Sequence, residues 1–280
     1  MTAESGRAYL AACTIYRDDA EYLGEWIEFH RLMGIERFVL YDNGSTDHHL
    51  DVLAPYLEEG IATRHEWPLP FLGHNGRPKA TFLAFEHCVG AHGDARWIAF
   101  LDIDEFLFSP SGARLPEVLR DYEAFPGVVA SRAEFGPSGH MTKPDGLVIE
   151  SYLEREPLRP DAEAPYKSIV EPGAVTRCLS AHSFVYRGRL PVDEDTRPVD
   201  PLKRMTRKPV VWARLRVNHY FSRSEEERRA KAELWRDVGG GRSVPTSPLD
   251  TRRSVRDEAL VPYAPAVREA LAQRGLLKRT

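Results

Sequence analysis

The chain has 280 residues, 42% hydrophobic and 29% charged, with a formal net charge of -4. That length supports one large domain, or one domain with a smaller appendage. The near-neutral charge gives no electrostatic footprint for nucleic acid. Cys13, Cys88 and Cys178 are odd in number, far apart and outside any Cys-x-x-Cys pair. This argues against a disulfide framework or a cysteine zinc site and fits a reducing cytoplasm. Met1 to Arg7 lacks a basic segment leading into a long apolar one, so it does not read as a signal peptide. No stretch approaches the ~20 apolar residues of a membrane span. The expectation is a soluble cytoplasmic protein, its only route to lipid being peripheral contact at the inner face of the cell membrane.

Tyr9 to Ile15 is a buried-strand candidate. Asp18 or Asp19 can cap the helix that follows. Glu21 to Met33 carries Leu23, Trp26, Ile27 and Leu32 close to one face, and Gly34 suits the position past the helix end. Arg37 to Tyr41 is a second strand that breaks into Asp42-Asn43-Gly44-Ser45-Thr46-Asp47. A helix with Leu50, Leu53, Ala54 and Leu57 on one side ends at Gly60, and Ile61 to His65 is a third strand. This βαβαβ pattern predicts a parallel sheet with right-handed crossovers. A Pro/Gly-rich loop spans Glu66 to Gly76, and Ala80 to Val89 is a helix. Trp97-Ile98-Ala99-Phe100-Leu101 then runs into Asp102-Ile103-Asp104-Glu105, a strand delivering carboxylates to the rim of the sheet.

Beyond this point the pattern loosens. Arg114 to Tyr122 predicts a helix and Val128 to Phe135 a strand. Leu147 to Leu153, Lys167 to Val170 and Ala174 to Leu179 predict short strands. Residues 187 to 209 form an irregular loop with the composition of a mobile segment. Val210 to His219 predicts a strand, and Ser224 with Glu227 is a capping box opening a helix. Gly239 to Pro248 is a linker, and a short helix around Pro265 to Leu271 closes the chain.

Four places can carry chemistry. Asp102 and Asp104 suit a hard divalent cation, although an isolated Asp-x-Asp also reads as a pair of solvated acids. The Asp42 to Asp47 turn can receive a base or ribose, with Asp47 read as a helix cap. At Asn218-His219-Tyr220, a neutral imidazole at a strand exit can complete a metal shell, and the helix start beside Arg223 suits a diphosphate. Alone, His219 reads first as a structural histidine; its place at a strand exit just before a helix start brings the ligand reading level. Finally, Lys167 can neutralise phosphate and His182 is the competing metal ligand, with ordinary surface roles as the alternative for both.

The runs Glu21 to His30, Gly34-Ile35, Tyr41 to Asp47 and Trp97 to Phe106 resemble the GT-A glycosyltransferases, specifically family 92 and the bacterial glycosyltransferase-2-like enzymes. The resemblance continues through Phe135 to His140, Lys167 to Val170, Asn218-His219-Tyr220, Ser224 to Glu227 and Lys231, so it spans about Tyr9 to Trp235. Lys79 departs from it, standing where relatives often carry glutamine, and the 187 to 209 loop and the last 45 residues lie outside it. It implies a Rossmann-like doubly wound α/β fold with a mostly parallel sheet and a mixed acceptor-side half. Residues 1–238 would form the catalytic domain, with a nucleotide-binding half at about 8–106 and an acceptor-side half at about 107–238, followed by a linker and short helix at 239–280.

The resemblance further implies inverting transfer of a sugar from a nucleoside diphosphate donor, UDP-sugar favoured, to a glycan or lipid-linked acceptor in cell-surface polysaccharide synthesis. It implies Mn²⁺ or Mg²⁺ held by Asp102 and Asp104, with His219 completing the shell and His182 as second choice. Thr14, Tyr16, Arg17, Asp42, Asn43, Lys79 and Asp102 would line the nucleotide pocket, and Arg223 and Lys231 would face the phosphates. A cation bound there would stabilise the charge left on the diphosphate. Inversion also needs a base for the acceptor hydroxyl; Glu134 is the first candidate, with Asp145 and then Glu105 behind it. The competing class is a non-catalytic protein on the same fold that binds carbohydrate or nucleotide sugar.

Overall fold

The computed structural model describes residues 7–70, 79–203, 205–206, 208–237 and 254–277, with the side chains at 79 and 234–237 left aside. The doubly wound half follows the predicted alternation. It runs β1 (Leu10–Tyr16), α1 (Ala20–Leu32), β2 (Arg37–Asp42), α2 (His49–Glu58), β3 (Ala62–Glu66), α3 (Lys79–Ala91) and β4 (Trp97–Phe100). β1, β2, β3 and β4 pair in parallel in the order β3-β2-β1-β4. Almost every residue of β1, β2 and β4 is buried, because helices cover both faces of a parallel sheet.

The strand predicted from the apolar run Trp97 to Leu101 forms and ends before the carboxylates, and a second strand that was not predicted follows them. β4 stops at Phe100, Asp102 and Asp104 lie on the connection, and β5 (Glu105–Phe108) starts afresh at the far edge of the same sheet. A turn closed by Glu105 N–H donating to the Asp102 carbonyl makes the break. Then follow α4 (Leu115–Leu119), β6 (Gly127–Glu134), α5 (Val148–Ser151), β7 (Glu154–Arg155), β8 (Tyr166–Val170), β9 (Val175–Ser180), β10 (Ser183–Tyr186), β11 (Arg216–His219), α6 (Glu225–Asp237), β12 (Val255–Arg256) and α7 (Ala264–Gln273). Among the described residues the main sheet has eight strands, ordered β3-β2-β1-β4-β8-β6-β11-β5. β8 runs antiparallel to β4 and β6, β11 parallel to β6, and β5 antiparallel to β11.

Among the described residues a small apolar cluster joins Val129, Tyr166 and Val199, and two large ones sandwich the sheet. The larger joins β1 and β2 side chains to Trp26, Leu53, Leu119 and Val267 from the helices, while the smaller packs Phe85 of α3 and Phe184 of β10 against Phe100. The smaller cluster also gathers Cys13, Cys88 and Cys178, all buried free thiols.

Several expectations require correction. Leu147 to Leu153 is not a strand but the helical turn α5 followed by β7. The buried Glu25 carboxylate accepts the backbone N–H groups of Val148 and Ile149 at 2.8 and 3.0 Å. These are amides that a helix start leaves without partners, so a distant residue decides the local structure. Of the strand predicted over Val210 to His219, only Arg216–His219 forms. The N–H groups of Ala213, Arg214 and Leu215 donate instead to Glu194. That contact also ties down the loop predicted to be mobile, where Val192 and Val199 are buried. Neither Asp18 nor Asp19 caps α1 through its side chain; Asp47 accepts the Ala20 N–H at 2.8 Å across the sheet rim. The predicted linker Gly239 to Pro248 and most of the predicted Pro/Gly loop lie outside the described residues.

Candidate functional site

The C-terminal ends of β1, β2, β6 and β11 reach one rim, beside the β4–β5 connection. Pairing sets His219 next to Glu134 on one side and Glu105 on the other. Glu134 is therefore held against His219, whose Nδ1–H donates to its Oε2 at 2.5 Å. Arg132, two residues earlier and so on the same face of the strand, puts Nη2 2.9 Å from Glu134 Oε1 and Nη1 3.3 Å from Glu105 Oε1. Lys167 of β8 is buried between Asp102 Oδ2 at 2.7 Å and Glu105 Oε2 at 2.8 Å. Glu105 Oε2 also accepts the Asp102 N–H at 2.9 Å. It is wholly buried, and its role is to hold the Asp102 backbone and the two cations. Burial pushes the Glu105 carboxyl up from its ordinary value, against Lys167 and Arg132.

Asp104 is nearly buried. Lys231 of α6 donates to its Oδ2 at 2.7 Å, and its Oδ1 lies 3.6 Å from His219 Nε2. Burial pushes this carboxyl up, but Lys231, His219 and Arg223 outweigh it and hold it far below the usual range. Glu134 is likewise pushed up by burial, but the His219 and Arg132 charges bring it down to about 2. Burial opposes the charge on His219, and Glu134 and Asp104 raise its pKa in spite of that. Arg223 packs its guanidinium 3.4 Å from the Tyr22 ring centroid, with Nη1 3.9 Å from both Asp19 and Glu227. The Ser224–Glu227 capping box forms, with Ser224 Oγ–H donating to Glu227 at 2.6 Å.

At the other end of the rim, Asp42 accepts the Ser45 N–H and an Arg64 N–H, both at 2.8 Å. Burial acts against it, but these donors leave its carboxyl below the usual value. Asn43 donates its amide to the Trp67 and Leu69 carbonyls. Tyr16 is buried with its hydroxyl lacking a hydrogen-bond partner among the described residues, Thr14 is wholly buried, and Arg17 is exposed beside Asp18. The Lys79 side chain lies outside the described residues.

The rim thus gathers Asp102, Asp104, Glu134, His219, Arg223 and Lys231. Two expectations change. Lys167 does not face solvent to meet phosphate but is enclosed by two carboxylates. His182 sits in the β9–β10 turn, its carbonyl accepting from Ser168, whereas His219 is the histidine facing Asp104. Among the described residues Asp145 makes no hydrogen bond or ion pair with these side chains, and it is exposed in the loop before α5. Arg132 was not among the expected site residues, and Asp19 was expected only as a helix cap. The i, i+2 spacing of Arg132 and Glu134 was the available signal; for Asp19 there was none.

The donor set fits a hard divalent cation. His219 Nδ1 is fixed by a carboxylate, the usual outer partner of a metal-ligating histidine, which turns Nε2 toward Asp104. The 3.6 Å between that nitrogen and Asp104 Oδ1 is too long for a hydrogen bond and suits two ligands each about 2.2 Å from one ion. Asp102 keeps Oδ1 outside its ion pair, on a side chain that is 38% exposed. Among the described residues, no three His, Cys, Asp or Glu side chains stand as a ready-made metal cage, so Lys231 would have to yield to the ion at Asp104.

Comparison with known proteins carries the identification further. Residues 9–237 match the model of glycosyltransferase family 92. A family 92 protein of Oryza sativa subsp. japonica is 34% identical over 175 residues, covering 61% of this chain and 28% of that protein. One from Arabidopsis thaliana is 30% identical over 192 residues, covering 62% of the chain and 31% of that protein. The galactan beta-1,4-galactosyltransferase GALS2 of Arabidopsis thaliana is 30% identical over 105 residues, 36% of the chain and 20% of its own length. The chain thus spans about a third or less of these plant relatives, and they lend no support to the bacterial kinship expected. Among solved structures, a mycobacterial protein aligns over 91% of this chain and 88% of its own, at 14% identity and a TM-score of 0.37. The match over residues 9–237 takes in every strand of the main sheet and the whole carboxylate rim, and the chain belongs to glycosyltransferase family 92.

Proposed function

We propose that the protein transfers a sugar from a nucleoside diphosphate donor, a UDP-sugar in the first instance, to a glycan or lipid-linked acceptor, with inversion and with Mn²⁺ or Mg²⁺. The observation that carries this reading is Asp104 facing His219 Nε2 at 3.6 Å on the sheet rim, with Lys231 on Asp104 and Asp102 on the same β4–β5 connection. A divalent ion held by Asp102, Asp104 and His219 would act as a Lewis acid on the leaving diphosphate. Arg223 and Lys231 would add positive charge to the same oxygens, and Tyr16, Asp42 and Asn43 would line the nucleoside pocket. Glu134 is the poorer candidate for the base. Its Oε2 accepts the His219 Nδ1–H and its Oε1 lies 2.9 Å from Arg132 Nη2, so we assign it the task of orienting His219.

Kinship to a named galactan galactosyltransferase supports galactose as a first donor sugar to try. Among the described residues no helix is long and apolar enough to cross a membrane, which is compatible with a peripheral approach to a lipid-linked acceptor. The test is calorimetric titration of UDP with and without Mn²⁺. Wild type should bind UDP only with the ion present; Asp104→Asn should lose that binding, and Glu134→Gln should weaken the ion about 10–100-fold. Ion-independent binding of UDP, or no binding, would sink the proposal.

A further inference from the structure

The segment that lies beyond the family match builds a wall of a cleft. α7 packs on α1 so closely that a Cβ at Gly24 would meet Leu271 Cδ2 at 2.9 Å. Between α1, the loop before α5 and α7 opens a cleft of about 410 Å³, within the size range of small-molecule sites. Tyr22, Asp145, Leu147, Arg268, Leu271 and Leu276 are among its walls.

Tyr22 is also part of the carboxylate rim. Arg223 stacks on its ring, and its hydroxyl donates to Glu227. The cleft therefore abuts the reaction centre through one shared side chain.

The chemistry of the walls selects the occupant. Lys143 is paired with Glu21 and Arg268 with Glu150, while the buried Glu25 carboxylate receives two backbone N–H groups. With these cations neutralised, the cleft offers no concentrated positive field to attract a phosphate or carboxylate ligand. What remains is a leucine surface from the C-terminal segment, the exposed imidazole of His48, and Asp145, an exposed carboxylate without a partner among the described residues. An apolar face with hydrogen-bond acceptors at its edge matches a sugar ring, whose C–H face is apolar and whose rim carries hydroxyl donors.

We propose that this cleft is the acceptor subsite, taking a pyranose of a neutral glycan, and that α7 with the residues after it sets acceptor specificity in this chain. The assignment rests on the transferase reading above. It is tested on the full chain carrying ¹³C-methyl leucine, titrated with the β-1,4-linked disaccharides of galactose, mannose and glucose and with digalacturonate. Methyl signals of Leu271, Leu276 and Leu277 should shift with at least one neutral disaccharide and not with digalacturonate. Leu276→Trp should weaken that binding at least tenfold, and Asp145→Asn should weaken it severalfold with the fold intact by circular dichroism. The assignment is overturned if no neutral disaccharide moves these methyls, if digalacturonate moves them instead, or if both variants bind as wild type does. UDP with Mg²⁺, titrated into the same sample, reads the donor site separately. UDP binding without disaccharide binding overturns the cleft alone, and absence of both overturns the cleft together with the transferase reading.

Discussion

His30 shows how one buried side chain couples the fold to pH. It lies wholly inside α1's packing, where Nδ1–H donates to the Trp26 carbonyl at 2.8 Å and Nε2 accepts the Leu107 N–H at 3.1 Å. These two bonds require the neutral ring with the proton on Nδ1. Burial lowers its pKa from 6.5 to about 3, against the Trp26 carbonyl. The native state thus binds fewer protons than the unfolded state between those values, and stability falls as pH drops below 6.5. His30 alone should remove roughly 2 kcal/mol between pH 8 and pH 5. Urea unfolding at the two pH values checks this: in His30→Gln the pH dependence should shrink by that amount, and an unchanged dependence would refute the assignment.

At the scale of elements, the exit from α1 depends on Gly34. Its φ is +102°, a region that side-chain-bearing residues rarely adopt, and a Cβ there would lie 2.6 Å from Pro116 Cδ at the start of α4. Gly34→Ala should therefore cost about 1–3 kcal/mol from backbone strain, plus whatever displacing α4 adds. The midpoint of urea denaturation should drop accordingly, and a variant as stable as wild type would show that α4 shifts freely. α5 makes the complementary point. Its four residues are too short to hold a helix by propensity; Glu25 holds them by satisfying the first amides.

For the whole molecule, the C-terminal segment is fastened to the nucleotide-binding half by charge as well as by leucines. Arg274, only 10% exposed, reaches Glu28 of α1 at 2.5 Å and Glu59 after α2 at 2.6 Å. Glu28 is nearly buried and retains Arg31 at 3.0 Å as a second partner. Arg274→Met should cost somewhat less than the ~3–5 kcal/mol of a buried pair losing one member. The double variant with Glu28→Gln should be more stable than the sum of the single losses predicts. Strict additivity in chemical denaturation would show that the pair contributes nothing.

Period and punctuation in the chain determined the βαβαβ half, the apolar strands, the Ser224 capping box and the acidic run after Trp97, because each is written in consecutive residues. That His219 could join Asp102 and Asp104 was legible as a possibility in its place at a strand exit, but that it faces Asp104 depends on strand pairing between positions more than a hundred residues apart. Tertiary structure alone decided the rest. β8 inserted between β4 and β6 brings Lys167 onto Asp102 and Glu105. Strand pairing sets Glu134 beside His219, whose Nδ1–H it accepts. Glu25 and Glu194 override two predicted strands by offering buried acceptors to backbone amides, and α7 folds back on α1 to complete a cleft. In each case a buried charge or amide had to find its partner, and that partner lay elsewhere in the chain.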